Sequence, residues 1–128
     1  MKPELQEWLT RASEDLEALS ELKPDRTPSV IAALAHQAIE KTLKAAWIEL
    51  NLEPPMTHDL EMLWARVASR VAKSPETDDF DDVLFEVNDY GIKARYPELP
   101  VPPRFARDAV GMTLRVCGVV KTWLETQT

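Results

Sequence analysis

A chain of 128 residues with 45% apolar and 29% charged side chains suits one folded domain, able to bury about two thirds of its unfolded surface without a staple. Its net charge of −7 excludes a protein that coats DNA or RNA through bulk positive charge, so a phosphate ligand would need a local basic patch. The single Cys117 cannot close an internal disulfide, and between Val116 and Gly118 it reads as a small buried thiol suited to a reducing cytoplasm.

The polar opening, Met1 to Glu7, lacks the apolar core of a secretion signal. The longest apolar run, Val30 to Ala35, is far too short for a membrane span. A cytoplasmic protein without a membrane or DNA partner is therefore expected. Leu5, Trp8, Leu9, Ala12, Leu16 and Leu19 recur at three- and four-residue spacing, which predicts a first helix over residues 3–22. Thr27-Pro28 supplies an N-cap followed by proline at the first helical position. The second helix runs from there to about residue 51, with an apolar face broad enough to mark it as central. Pro54-Pro55 gives an extended connector, since each proline disfavours helix at the residue before it.

A third helix should begin around Thr57-His58-Asp59, bury Leu60, Leu63, Trp64, Val67 and Val71, and stop at Ser74-Pro75. Thr77-Asp78-Asp79 opens a fourth, whose acidic first turn suits the positive end of the helix dipole. A loop stiffened by four prolines then leads into a fifth helix carrying Phe105, Ala109, Met112, Val116, Val120 and Trp123. No stretch alternates with period two between hairpin turns, so no sheet is expected. The expected fold is all-α: one domain over residues 1–128, an antiparallel bundle of about five helices with a four-helix up-and-down core.

Catalytic sets find little support. No glycine-flanked serine elbow is present, and the apolar neighbours of Cys117 argue against a Cys–His pair. His36 and Glu40, one turn apart, lack a second such pair and read as solvent or interface side chains, so no metal and no cofactor is expected. The acidic run from Glu76 to Asp89 reads as a solvated helix face. Trp47, Trp64 and Trp123 read as core, and Tyr90 and Tyr96, which bracket the loop entrance, as packing residues with a wet hydroxyl. Gly111 and Gly118 share one side of the last helix, where a self-association seam and close intramolecular packing are both open, the latter being the default.

Lys93, Arg95, Arg104 and Arg107 crowd a proline-stiffened segment opposed only by Glu98. Two readings stand side by side. The guanidinium groups form a phosphate receptor, or Arg95 and Arg104 pair with the acidic helix before them.

Four strings in order resemble the HEPN family, small helical proteins found beside nucleotidyltransferases. They are Arg11-Ala12-Ser13-Glu14-Asp15-Leu16; Ala35-His36-Gln37-Ala38-Ile39-Glu40-Lys41-Thr42-Leu43-Lys44-Ala45; Pro54-Pro55-Met56-Thr57-His58-Asp59-Leu60; and Asn88-Asp89-Tyr90 with Ala94-Arg95-Tyr96-Pro97. The resemblance implies a bundle that commonly forms a homodimer, a nucleotidyltransferase partner in a toxin–antitoxin-type system, and a nucleotide or RNA as ligand. Family ribonucleases pair an arginine with a histidine a few residues later. Arg95 fits that arginine, but Pro100, Val101 and Pro102 fill the histidine's place.

The expectation is thus a non-catalytic, dimeric binding module. Arg95 is its phosphate contact, with Lys93, Arg104 and Lys44 in support and no catalytic residue. A ribonuclease toxin and a purely structural helical adaptor are the alternatives. The strings also have local readings: the Glu40, Lys41 and Lys44 neighbours as a solvated face, and Thr57-His58-Asp59 as a helix cap.

Overall fold

The computed structural model describes residues 1–71 and 74–127. Five α-helices follow in order: α1 Pro3–Glu21, α2 Pro28–Glu49, α3 Leu60–Val67, α4 Phe80–Lys93 and α5 Pro103–Glu125, with a 3-10 turn at Pro75–Thr77 before α4. Among the described residues there is no strand, so the all-α bundle stands.

Two boundaries depart from expectation. Thr27 precedes Pro28 but its side chain does not cap α2; its hydroxyl instead lies 3.5 Å from the Lys23 carbonyl. The third helix is short. After Val67 the chain passes into turns, with Val71 N–H bonding the Val67 carbonyl at 3.1 Å, so Val71 reaches the core from outside the helix. The part of that expected helix at Ala72 and Lys73 lies outside the described residues.

α2 is apolar almost all round, as a helix surrounded by neighbours must be. Ile31, Ala35, Ala38, Ile39, Leu43 and Ala46 are all fully buried in it. It packs against α1, α3, α4 and α5, whereas α1 and α5 meet each other only sparsely. Trp64 and Phe80 close the core edge to face, with ring centroids 5.2 Å apart. No helix among the described residues is long and apolar enough to cross a membrane.

Cross-contacts fix the helix directions. Lys2 reaches Asn51, and Lys41 Nζ meets Asp15 at 2.6 Å, so α1 and α2 are antiparallel. Tyr90 stacks on Phe105 at 4.2 Å and Arg115 grips Asp79 at 2.7 Å, so α4 and α5 are antiparallel. Arg107 bonds Asp25 at 2.5 Å while Thr42 lies 3.4 Å from Cys117, so α2 and α5 run the same way. The α1–α2 turn, the end of α4 and the start of α5 therefore share one end of the bundle.

α4 crosses α2 at Gly91, where only glycine fits. A Cβ there would lie 2.7 to 2.9 Å from three atoms of the His36 side chain. Gly111 and Gly118 are different, and the default expectation of intramolecular packing fails for them. A Cβ at either would meet nothing within 4 Å, because that side of α5 faces open space.

These three glycines make a controlled test. Alanine in a helix interior gains about 1 kcal/mol over glycine where there is room, but overpacking costs about 1–3 kcal/mol. Gly91→Ala should lower the urea midpoint, while Gly111→Ala and Gly118→Ala should leave it unchanged or raise it. Equal behaviour of all three would disprove the close crossing.

Candidate functional site

The four candidate cations fall into two places. Lys44 sits on α2, 6% exposed, where Nζ donates to Glu40 Oε2 at 3.0 Å and lies 5.5 Å from the Trp8 ring centroid. The other Glu40 oxygen is 2.8 Å from His58 Nδ1 and 3.8 Å from His36 Nδ1. A carboxylate this covered needs such partners, since an unpaired buried charge costs several kcal/mol. Lys41, the next cation on the helix, is held by Asp15 of α1. The solvated-face reading of Glu40, Lys41 and Lys44 is therefore wrong: the interface absorbs them because α1 and the α3 leader close over that side of α2. His36, 6% exposed, is likewise no solvent side chain.

The leader of α3 completes this node. Asp59 Oδ1 accepts from the N–H groups of Glu61 and Met62 at 3.1 and 3.4 Å, capping the helix as its sequence suggests. Asn88 of α4 then bridges: its Oδ1 accepts from Leu60 N–H and its Nδ2 donates to Asp59 Oδ1, both at 3.0 Å. Parts of three family-like strings thus meet as one network joining α2, α3 and α4. Asn88 as a bridge was not foreseen, because a lone asparagine in a helix carries no signal until its partner segment is placed.

Lys93 and Arg95 lie at the other level of the bundle. Gly91 faces His36, Lys44 is eight residues further along α2, and Arg95 is one turn beyond Gly91 the other way. Lys44 and Arg95 are therefore about 18 Å apart along the bundle axis at 1.5 Å per residue, and they do not form one site. Lys93 is taken: Asp89 holds it at 2.9 Å, and that hydrogen bond raises its pKa, while its ammonium lies 4.9 Å from the Tyr90 ring centroid.

Arg95 and Arg104 are exposed, and among the described residues their side chains have no ion pair or hydrogen bond. The alternative in which both pair with the acidic helix is overturned. The arginine that does so is Arg115, on Asp79, whose pKa that bidentate contact lowers. Stacking of Tyr90 on Phe105 pins the two feet of the proline loop together, with Arg95 five residues past one ring and Arg104 next to the other. The Arg107–Asp25 bridge ties the α1–α2 turn to the same end and brings there exposed Lys23 and Arg26, whose side chains have no ion pair or hydrogen bond among the described residues. Those two were missed because only the helix directions bring them beside α5.

Cys117 is buried, and burial pushes its thiol up to about 11, so it stays protonated as an inert core group. No three His, Cys, Asp or Glu side chains among the described residues are placed to hold a metal ion.

The HEPN domain family model matches residues 5–125, nearly the whole chain. The protein belongs to the HEPN family, and its helical bundle is a HEPN module. No curated protein and no solved structure matches the chain.

His36 gives the node a pH signature. Burial lowers its pKa below 6.5, against the pull of Glu40, the Asn88 side chain and the His58 backbone, with His58 adding to the lowering. The unfolded chain then binds this proton more readily than the folded one. The stability tied to neutral His36 is complete above pH 6.5 and is lost as pH falls below that value. Urea midpoints at about pH 7.5 and 5.5 should differ more for the wild type than for His36→Gln. An equal or larger acid loss in the variant would contradict the neutral buried ring.

Proposed function

We propose that this HEPN module is a non-catalytic, dimeric cytoplasmic partner of a nucleotidyltransferase in a toxin–antitoxin-type pair, binding a nucleotide phosphate through Arg95 and Arg104. The supporting observation is that, among the described residues, these two guanidinium groups are unpaired, Arg95 just past α4 and Arg104 in the first turn of α5, at the two locked feet of the proline loop, while Lys93 and Lys44 are engaged. Arginine on a rigid loop loses little freedom on meeting an anion and offers it paired, charge-assisted hydrogen bonds. Lys23 and Arg26 add positive potential at the same end. Lys93 keeps its place beside Asp89, and Lys44 drops out as a ligand contact.

The ribonuclease alternative requires an imidazole free to take a proton from a ribose hydroxyl. Both histidines are instead engaged with Glu40, His36 is covered by Gly91, and Arg95 bonds neither.

Titration calorimetry with ATP tests the ligand claim. Heat should saturate at millimolar ligand or below, and Arg95→Ala with Arg104→Ala should weaken binding about tenfold or more, one lost charge-assisted bond being worth about 1.5–3 kcal/mol. No heat at millimolar ATP, alone or with a nucleotidyltransferase partner present, would remove the ligand from the proposal. Expression that arrests growth, with relief by Arg95→Ala, would replace the binding module with the ribonuclease.

A further inference from the structure

The outward side of α4 carries a second surface, independent of the phosphate reading. Its inner side is spent on Phe80, Val83, Leu84, Val87 and Gly91, all buried. On the opposite side Phe85 is 64% exposed and Ile92 is 56% exposed. Seven residues apart, they lie on one line along the helix, about 10 Å from each other. Tyr96, expected to pack, is instead 48% exposed and lies four residues past Ile92, in the turn just beyond the helix. Single exposed apolar residues are ordinary, but a row of them on a rigid helix is the pattern that receives a partner's side chains.

The charge beside this row is one-sided. Asp78, Asp81, Asp82, Glu86 and Asp89 are all exposed, and the one cation on α4, Lys93, is already held by Asp89. Asp78, Asp82 and Glu86 follow one another at four-residue spacing, where like charges repel. The helix dipole rewards carboxylates only in the first turn, and Glu86 lies beyond it. None of Asp78, Asp81, Asp82 and Glu86 has an ion pair among the described residues. The isolated chain thus keeps a repulsive acidic flank beside an uncovered apolar row, and a partner that is both cationic and apolar would relieve the first and cover the second.

We propose that this face of α4 docks a basic amphipathic helix of a partner protein, with apolar anchors on Phe85 and Ile92 and Lys or Arg side chains against the acidic flank. Helix-in-groove recognition uses anchors at the same seven-residue repeat, and the flanking charges choose the partner and its orientation.

The test uses a fluorescein-labelled synthetic 18-residue helix with Leu at positions i, i+3, i+4 and i+7 of each repeat and Lys elsewhere, and its Leu–Glu counterpart. Fluorescence anisotropy against the full chain should show saturable binding of the Leu–Lys peptide and none of the Leu–Glu peptide. Phe85→Ala with Ile92→Ala should weaken it about tenfold or more, as loss of central anchors does. Asp82→Lys with Glu86→Lys should also weaken it, and raising salt should weaken the wild-type complex. Leu114→Ala, on the exposed side of α5, should leave binding unchanged. All these positions are exposed, so the variants keep the core intact. No saturable binding, or equal binding by the Phe85/Ile92 variant, would overturn the proposal. So would light scattering that shows a wild-type dimer reduced to monomer by that same variant, since the face would then belong to a second copy.

Discussion

Glu40 is the point on which the middle of the bundle turns. One carboxylate, nearly out of water, is held by Lys44 from its own helix and by His58 from the segment ahead of α3, with His36 a turn away. A charge in that position is tolerable only while its partners stay in place, so the connector that delivers His58 is fixed by the same requirement. From His58 the order propagates through the Asp59 cap to Leu60, and through Asn88 to α4. α4 is then drawn so close to α2 that His36 leaves no room for a side chain at residue 91.

This arrangement separates two kinds of polar chemistry that look alike as text. Lys44, Glu40, His36 and His58 are residue types that catalysis and ligand binding favour, yet here each satisfies another and they hold helices together. Arg95 and Arg104, from the cation-rich proline segment, are instead left open to solvent. The difference lies in which level of the bundle each occupies. The end shared by the α1–α2 turn, α4 and α5 collects cations, while the outer side of α4 collects carboxylates. An overall charge of −7 conceals that polarity.

Helix number, order and most limits were legible because apolar residues repeat with the helical period and prolines mark the joins. The central role of α2 followed from the breadth of its apolar face. The length of α3 was not legible, since the apolar pattern continues to Val71 while the backbone leaves the helix after Val67. Pairing was the harder matter. Local charge made Lys93 and Arg95 equivalent, but a four-residue step back to Asp89 engages only the lysine. Arg115, unremarkable in sequence, proved to be the partner of the acidic helix, because antiparallel packing of α5 brings it to Asp79. Family-like strings were recognisable in order, yet the reason for their residues was spatial, and no single string contains it.

The Glu40 node should anchor α3 and its leader specifically, not the bundle as a whole. Amide hydrogen exchange on Glu40→Gln addresses it directly, since that change removes the charge and keeps the shape. Faster exchange at Leu60 and along α3, with protection retained where α1 and α5 pack on α2, is the pattern this structure requires. Unchanged protection in α3, or a uniform loss across all five helices, would contradict it.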